Sequence, residues 1–179
     1  SLMKILVAVK RAIDYHVQIR VKAAGSGIVT DNVKMSNNQH DYNAIEEAVK
    51  IKEAGKATEV VAISVGEEKA QETVRKALAV GADRGILVKV EGTVEPLAVS
   101  KILQKIVEKE KPDLVLMGKQ AIDDDCNQTG QMLAALLNWP QATFASKIEV
   151  KEKSLEVTRE IDEGLETIEV NIPAIVTCD

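Results

Sequence analysis

Apolar runs of strand length alternate, over roughly the first 140 residues, with stretches whose apolar positions recur every three or four residues. That alternation predicts repeated βα units around a parallel sheet. Parallel strands are covered by helices on both faces, so they read as unbroken apolar runs. Residues 4–10 form the first predicted strand. A polar excursion over 11–38 follows, in which Gly25 and Gly27 bracket a hairpin turn between short alternating pieces. The first predicted helix covers 43–54, with Ile45, Val49 and Ile51 inward and Gly55 as its stop. Strand 58–65, helix 69–80 closed by Gly81, strand 85–90, a helix opening at Pro96 and strand 114–117 come next. Leu97, Ile102, Leu103, Ile106 and Val107 mark the apolar face of the helix after Pro96, and a helix over 127–137 is closed by Trp139-Pro140.

Beyond position 140 the texture changes. Residues 142–150, 154–161 and 165–171 alternate apolar and polar positions, which predicts antiparallel strands with one wet face, the last two joined by a turn at Glu163-Gly164. Residues 173–178 are apolar again and predict one more strand of the main sheet. The expected class is α/β: a doubly wound, mainly parallel sheet with helices on both faces, plus a small antiparallel extension, in one domain over 1–179.

Composition narrows what such a domain does. A chain of 179 residues can bury a sizeable core without dividing in two. Lys and Arg number 23 against 28 Asp and Glu, a net charge of −5, and Tyr15, Tyr42, Trp139 and Phe144 are the whole aromatic set. Neither the charge nor the aromatic count suits a nucleic-acid partner. No apolar run approaches the length needed to span a bilayer, so direct membrane insertion is not expected. Cys126 and Cys178 form no disulfide framework and no spaced metal set, which points to a reducing compartment. Ser1 and Leu2 read as a cloning remnant before Met3, after which the chain enters a strand directly, with no signal or transit peptide in front of it.

In doubly wound sheets ligands sit beyond the carboxyl ends of the strands, where the winding reverses. Here those ends are Ala8-Val9-Lys10 and Met117-Gly118, and the second leads into Gly118 to Gln131, GKQAIDDDCNQTGQ. A helix starting near Asn127 offers unpaired N–H groups and about half a positive charge, and Asn127, Gln128 and Thr129 add neutral donors, which together suit a phosphate. Gly130 would let a ligand approach the first turn. Equally, Asp124 or Asp125 can cap the helix and Gly130 can serve packing. A magnesium site on Asp123, Asp124 and Asp125 is a third reading, disfavoured because three adjacent carboxylates cannot all face one ion. Cys126 beside a helix N-terminus, and the lone His16 and His40, carry weaker signals. No Gly-x-Gly-x-x-Gly follows the first strand, which disfavours a Rossmann dinucleotide site.

Four segments together resemble the β subunit of electron transfer flavoprotein: ILVAVKR from Ile5, AVGADRG from Ala79, the Gly118 to Gln131 stretch, and REIDEGL from Arg159. The likeness covers essentially all of 3–179. It implies an adenine-nucleotide-binding α/β fold and a non-catalytic role beside an α subunit. In that family the heterodimer passes electrons from flavin-linked dehydrogenases, including those of fatty acid β-oxidation, to a membrane quinone oxidoreductase. FAD is held mainly by the α subunit and AMP by the β subunit, in bacterial cytoplasm or the mitochondrial matrix.

Carried over by motif, the implied AMP contacts are Ala8, Asn38, Gln39, His40, Asp41 and Val65, then Asp123, Asp124, Asp125, Cys126, Asn127, Gln128, Thr129, Gly130, Gln131, Met132, Leu133 and Ala134. The backbone at Ala8 and Val65 would hold the adenine edge, and Asn127 to Thr129 the phosphate. The chain departs from the family where Asn-Pro-Phe/Leu-Asp-Glu usually precedes the first helix, reading Asn38-Gln39-His40-Asp41-Tyr42. Family members also continue past the position of Asp179 into an arm that embraces the α subunit, so a shortened chain is expected. The alternatives are a bifurcating relative with FAD in the same crevice, or a stand-alone ATP-binding protein of the stress type.

Overall fold

The computed structural model describes residues 3–9, 39–92, 94–118, 125–144 and 146–178. The hairpin predicted around Gly25 and Gly27 lies outside them. Strand β1 (Met3–Ala8) is followed by α1 (Gln39–Glu53), β2 (Ala57–Gly66), a 3-10 turn (Glu68–Ala70) running into α2 (Gln71–Val80), β3 (Arg84–Lys89), α3 (Pro96–Glu110), β4 (Leu114–Met117) and α4 (Asp125–Leu137). Five strands complete the chain: β5 (Gln141–Phe144), β6 (Lys147–Val150), β7 (Ser154–Ile161), β8 (Gly164–Asn171) and β9 (Ala174–Cys178). The main sheet has six strands in the order β3-β2-β1-β4-β9-β5, every pair parallel, and β6-β7-β8 form a separate three-stranded antiparallel sheet.

The α/β expectation holds, with one correction. The stretch read as a single antiparallel strand over 142–150 is two strands. Gln141–Phe144 pairs in parallel with β9 at the edge of the main sheet, and only Lys147–Val150 joins the antiparallel sheet. Alternation reports that one face is wet, as it is at a sheet edge, and says nothing about strand direction. Helix α1 opens four residues earlier than its apolar period suggests, because its first turn carries the polar residues Gln39 to Asn43. Leu97 leaves the apolar face assigned to it and is 46% exposed. Leu103 and Val107, further along the same helix, are the residues that reach the core.

Two cores flank the main sheet. Ile5, Val7, Val60, Ala62, Leu114 and Leu116 meet α1 through Ala44, Ile45, Ala48 and Ile51, and the same core reaches Ile148, Leu155 and Val157 of the antiparallel sheet. On the other face Leu6, Val61, Ile63, Val115, Met117 and Ile175 meet Leu103 and Val107 of α3 and Leu133 and Ala134 of α4. Alternate residues of β1 therefore enter opposite cores, which explains its continuous apolar run. The helix after β1 and the helix after β4 cover opposite faces.

At the amino ends of the strands, two aspartates repeat one device. Asp113 N–H donates to Lys4 O at 2.9 Å while Lys4 N–H donates to Asp113 Oδ2 at 3.0 Å. One layer across, Asp83 N–H donates to Val60 O and Val60 N–H donates to Asp83 Oδ2, both at 2.8 Å. Lys52 pairs with the other Asp83 oxygen and holds that carboxyl below its ordinary range, the Val60 N–H adding to the effect. A charge cluster closes the same end: Glu110 accepts from Arg84 and, at 2.9 Å, from Lys4, and Arg84 also reaches Glu59 at 2.7 Å. Gly85 belongs to this assembly because a Cβ there would stand 2.2 Å from Val74 Cγ1 of α2.

Arg84 first, and Lys4 second, depress the Glu110 pKa below its ordinary 4.5. A carboxylate with a depressed folded pKa adds stability that is complete above the unfolded value and lost as pH falls through the folded one. Glu110→Gln is therefore expected to lower the urea midpoint at neutral pH, and the gap from the parent should close as the pH is taken below 4.5. Urea melts across that range check it; a gap that stays constant into acid would remove Glu110 from the cluster's energetics.

Candidate functional site

The winding reverses between β1 and β4, which are hydrogen-bonded neighbours with Ala8 opposite Met117. Helices α1 and α4 lie on opposite faces, so the carboxyl rim between these two strands is the switch point at which doubly wound sheets form a ligand crevice. The β1–β2 ladder stops there, with Val9 N–H donating to Ile63 O at 2.8 Å. Two residues on, the N–H and C=O of Val65 point to the same side of β2 and find no backbone partner among the described residues. Unpaired main-chain groups of this kind at a strand end are an opportunity for a ligand. Ala8 and Val65 are both half-buried.

Helix α4 brings its amino end to the other side of this rim, and its opening N–H groups have no intrahelical acceptor. The helix is fixed from two directions. Ser100 of α3 donates to Thr129 O at 3.0 Å, sharing its hydroxyl with Pro96 O at 2.8 Å. Beneath, a Cβ on Gly130 would meet Thr177 Cγ2 of β9 at 2.8 Å and Met117 Sδ at 3.7 Å. Of the two readings of Gly130, the packing one accounts for its missing side chain. Thr129 is 5% exposed, Leu133 and Ala134 lie in the core, Met132 is half-buried, and Gln128 and Gln131 are exposed.

The structure thus brings Ala8, Val65 and the start of α4 to one rim. Gln39, His40 and Asp41 supply backbone to the first turn of α1, and Asp125, Cys126 and Asn127 to that of α4. Asn38, Asp123 and Asp124 lie outside the described residues. Among the described residues there is no cluster of three or more His, Cys, Asp or Glu suited to a metal ion. A cavity of about 740 Å³ between α1 and β6 is lined by Glu47, Lys50, Lys56, Ile148, Glu149 and Lys151, but it lies at the amino ends of the strands, away from the crevice. Burial raises the Glu47 pKa there, opposed by the Ile148 N–H that its carboxylate accepts and by Lys50.

Sequence reading passed over one rim residue, Ser64. It is 1% exposed, and its hydroxyl has no partner among the described residues. The available signal was a single hydroxyl inside the apolar run from Val60 to Val65.

Comparison with known proteins decides the family. The electron transfer flavoprotein domain matches residues 26–179. The chain is 64% identical over 177 residues to the electron transfer flavoprotein subunit beta of Bradyrhizobium diazoefficiens, which covers 99% of this chain and 71% of the relative. The chain belongs to the electron transfer flavoprotein family. Subunit beta of Dictyostelium discoideum is 58% identical over 177 residues and that of Homo sapiens 56% over 181, each again across 99% of this chain and 71% of the relative. Within the electron transfer flavoprotein family the match is to the beta subunit, so the chain is a subunit of a flavin-linked electron carrier, not a catalytic enzyme, and its relatives' designation implies an alpha partner. These relatives are bacterial as well as eukaryotic, a plant one being described as mitochondrial. Among the described residues, no helix is long and apolar enough to cross a membrane.

Gly130→Ala should push α4 off β9 and cost about 1–3 kcal/mol, the usual range for overpacking a filled site. Thr177→Ser removes the methyl that the new Cβ would meet. The double variant is therefore expected to recover most of the loss in denaturant melts; no recovery would mean that the glycine is needed for something other than this contact.

Proposed function

We propose that this chain holds AMP in the crevice between β1 and β4 and thereby forms a rigid platform for an FAD-bearing α subunit. The heterodimer would carry electrons from flavin-linked dehydrogenases, including those of fatty acid β-oxidation, to a membrane quinone oxidoreductase. The observation that carries the AMP reading is the pair of main-chain groups on Val65 that find no partner among the described residues, on one side of β1, combined with the amino end of α4 on the other. A donor beside an acceptor suits the adenine edge, which offers an acceptor nitrogen beside an amino donor. The α4 amides and dipole suit the phosphate.

Under this reading Ala8 and Val65 hold the base through backbone, the segment from Asn38 to Asp41 closes over the ribose side, and Asn127 to Thr129 hold the phosphate. The remaining residues of 123–134 shape the helix start, and Leu133 and Ala134 anchor it from the core. AMP supplies no redox chemistry, so its role is to fill and stiffen the rim. The family resemblance supports FAD residing mainly in the partner. All of 1–179 works as one domain: Glu47 of α1 accepts from Ile148 of β6 at 3.3 Å, and both sheets share one apolar core. We place the protein in bacterial cytoplasm or the mitochondrial matrix, in keeping with the sources of its relatives.

Purified protein should release AMP at close to one mole per mole on denaturation, read by mass spectrometry. Asn127→Ala with Thr129→Ala should weaken AMP retention by about tenfold or more, since two phosphate hydrogen bonds are removed. FAD released in place of AMP would favour the bifurcating arrangement. ATP turnover with magnesium by the chain alone would favour a stand-alone nucleotide protein. Protein without any nucleotide would reject the crevice as a structural AMP site.

A further inference from the structure

Resting on the AMP reading, we infer that Ser64 is a further nucleotide-binding residue, hydrogen-bonding the base end of the nucleotide directly or through one bound water. The run from Val60 to Val65 alternates between cores: Val60 and Ala62 enter one, Val61 and Ile63 the other. Ser64 continues the first series, on the α1 side of the sheet, where every other position is aliphatic. Its hydroxyl is buried and has no partner among the described residues. A buried hydroxyl without a partner is unfavourable, and alanine would fit the same strand without that cost, so the polar atom calls for a partner at this place.

Position in the sheet says which partner. Ser64 stands one residue past Ile63, where the described β1–β2 ladder ends, and one residue before Val65, whose N–H and C=O have no partner among the described residues. Strands β2 and β4 flank β1, so their rims are two strand spacings apart, about 9.5 Å. A mononucleotide bridges that span with its phosphate at α4 and its base at β2. The three polar groups of Ser64 and Val65 therefore lie at the base end, on the opposite side of β1 from the phosphate helix. A water between hydroxyl and base would serve as well as direct contact.

The test uses the full-length subunit assembled with its partner and stripped of nucleotide, as parent, Ser64→Ala and Ser64→Cys. Calorimetric titration with AMP should show Ser64→Ala weaker by about five- to tenfold, the worth of one hydrogen bond, and Ser64→Cys in between. Ribose 5-phosphate, which has the phosphate and no base, should bind parent and Ser64→Ala equally. Without nucleotide, Ser64→Ala should melt no lower than the parent. Unchanged AMP affinity, an equal loss for both probes, or a lower nucleotide-free melting temperature matching the affinity loss would each overturn the assignment. A parent that binds no AMP would remove the proposed function itself, and this inference with it; AMP binding by the parent with an indifferent Ser64→Ala removes only the inference.

Discussion

Parallel strands joined through helices share no tight turn, so nothing local sets their register, and a slip of one residue would send every side chain of β1 into the wrong core. Here the amino ends of the strands hold it. Asp113 exchanges two hydrogen bonds with the backbone of Lys4, and Asp83 exchanges two with Val60. Each aspartate immediately precedes its strand and mimics one more ladder residue on its neighbour. Lys52 fixes the Asp83 carboxylate in turn, and Lys4, Arg84, Glu59 and Glu110 pair among themselves at the same end. With the amino ends clamped, the carboxyl ends are determined: Ala8 falls level with Ile63 and with Met117. The crevice inherits its geometry from charges at the far end of the sheet.

This separation of duties also explains why the two conspicuous motifs behave differently. The AVGADRG segment is a packing and register motif: Gly81 closes α2 with φ 141° beneath Val49, Asp83 and Arg84 make the amino-end contacts, and Gly85 admits Val74. The Gly118 to Gln131 stretch ends in the first turns of α4 at the carboxyl rim, yet its Thr129 is buried, its glycine at 130 packs against Thr177, and the core residues Leu133 and Ala134 follow directly after it. One segment of this chain therefore leads into the start of α4 at the rim and also carries groups that fix that helix against its neighbours.

Much of the fold was legible because burial on both faces writes itself as continuous apolar residues, as in Val60 to Ile63 or Leu114 to Met117. Strand direction was not legible for Gln141–Phe144, since an edge strand alternates whatever its orientation. Neither was the first turn of α1, whose polar residues add nothing to an apolar period. At the rim, position could be inferred from the rule that ligands gather where winding reverses, and the start of α4 from the candidate capping residues ahead of it. Ser64 escaped because one hydroxyl in an aliphatic run acquires meaning only once its neighbours are known to offer it no partner. The tie from Ser100 to Thr129 O, across 29 positions, escaped for the same reason.

The place of β9 bears on how the molecule comes into being. Although it follows the other eight described strands in the chain, it sits inside the sheet, between β4 and β5, and β5 pairs with no other strand among the described residues. While the ribosome is still adding residues before Ala174, β4 has one bare flank and Gln141–Phe144 has no strand to join. The growing chain can assemble β1 to β4 with their helices as a unit, but the Thr177 that supports Gly130 arrives only with β9. Nascent chains are thus exposed to wrong edge-to-edge pairing until that insertion is made, and the order of synthesis puts completion of this part of the sheet after β9 has emerged.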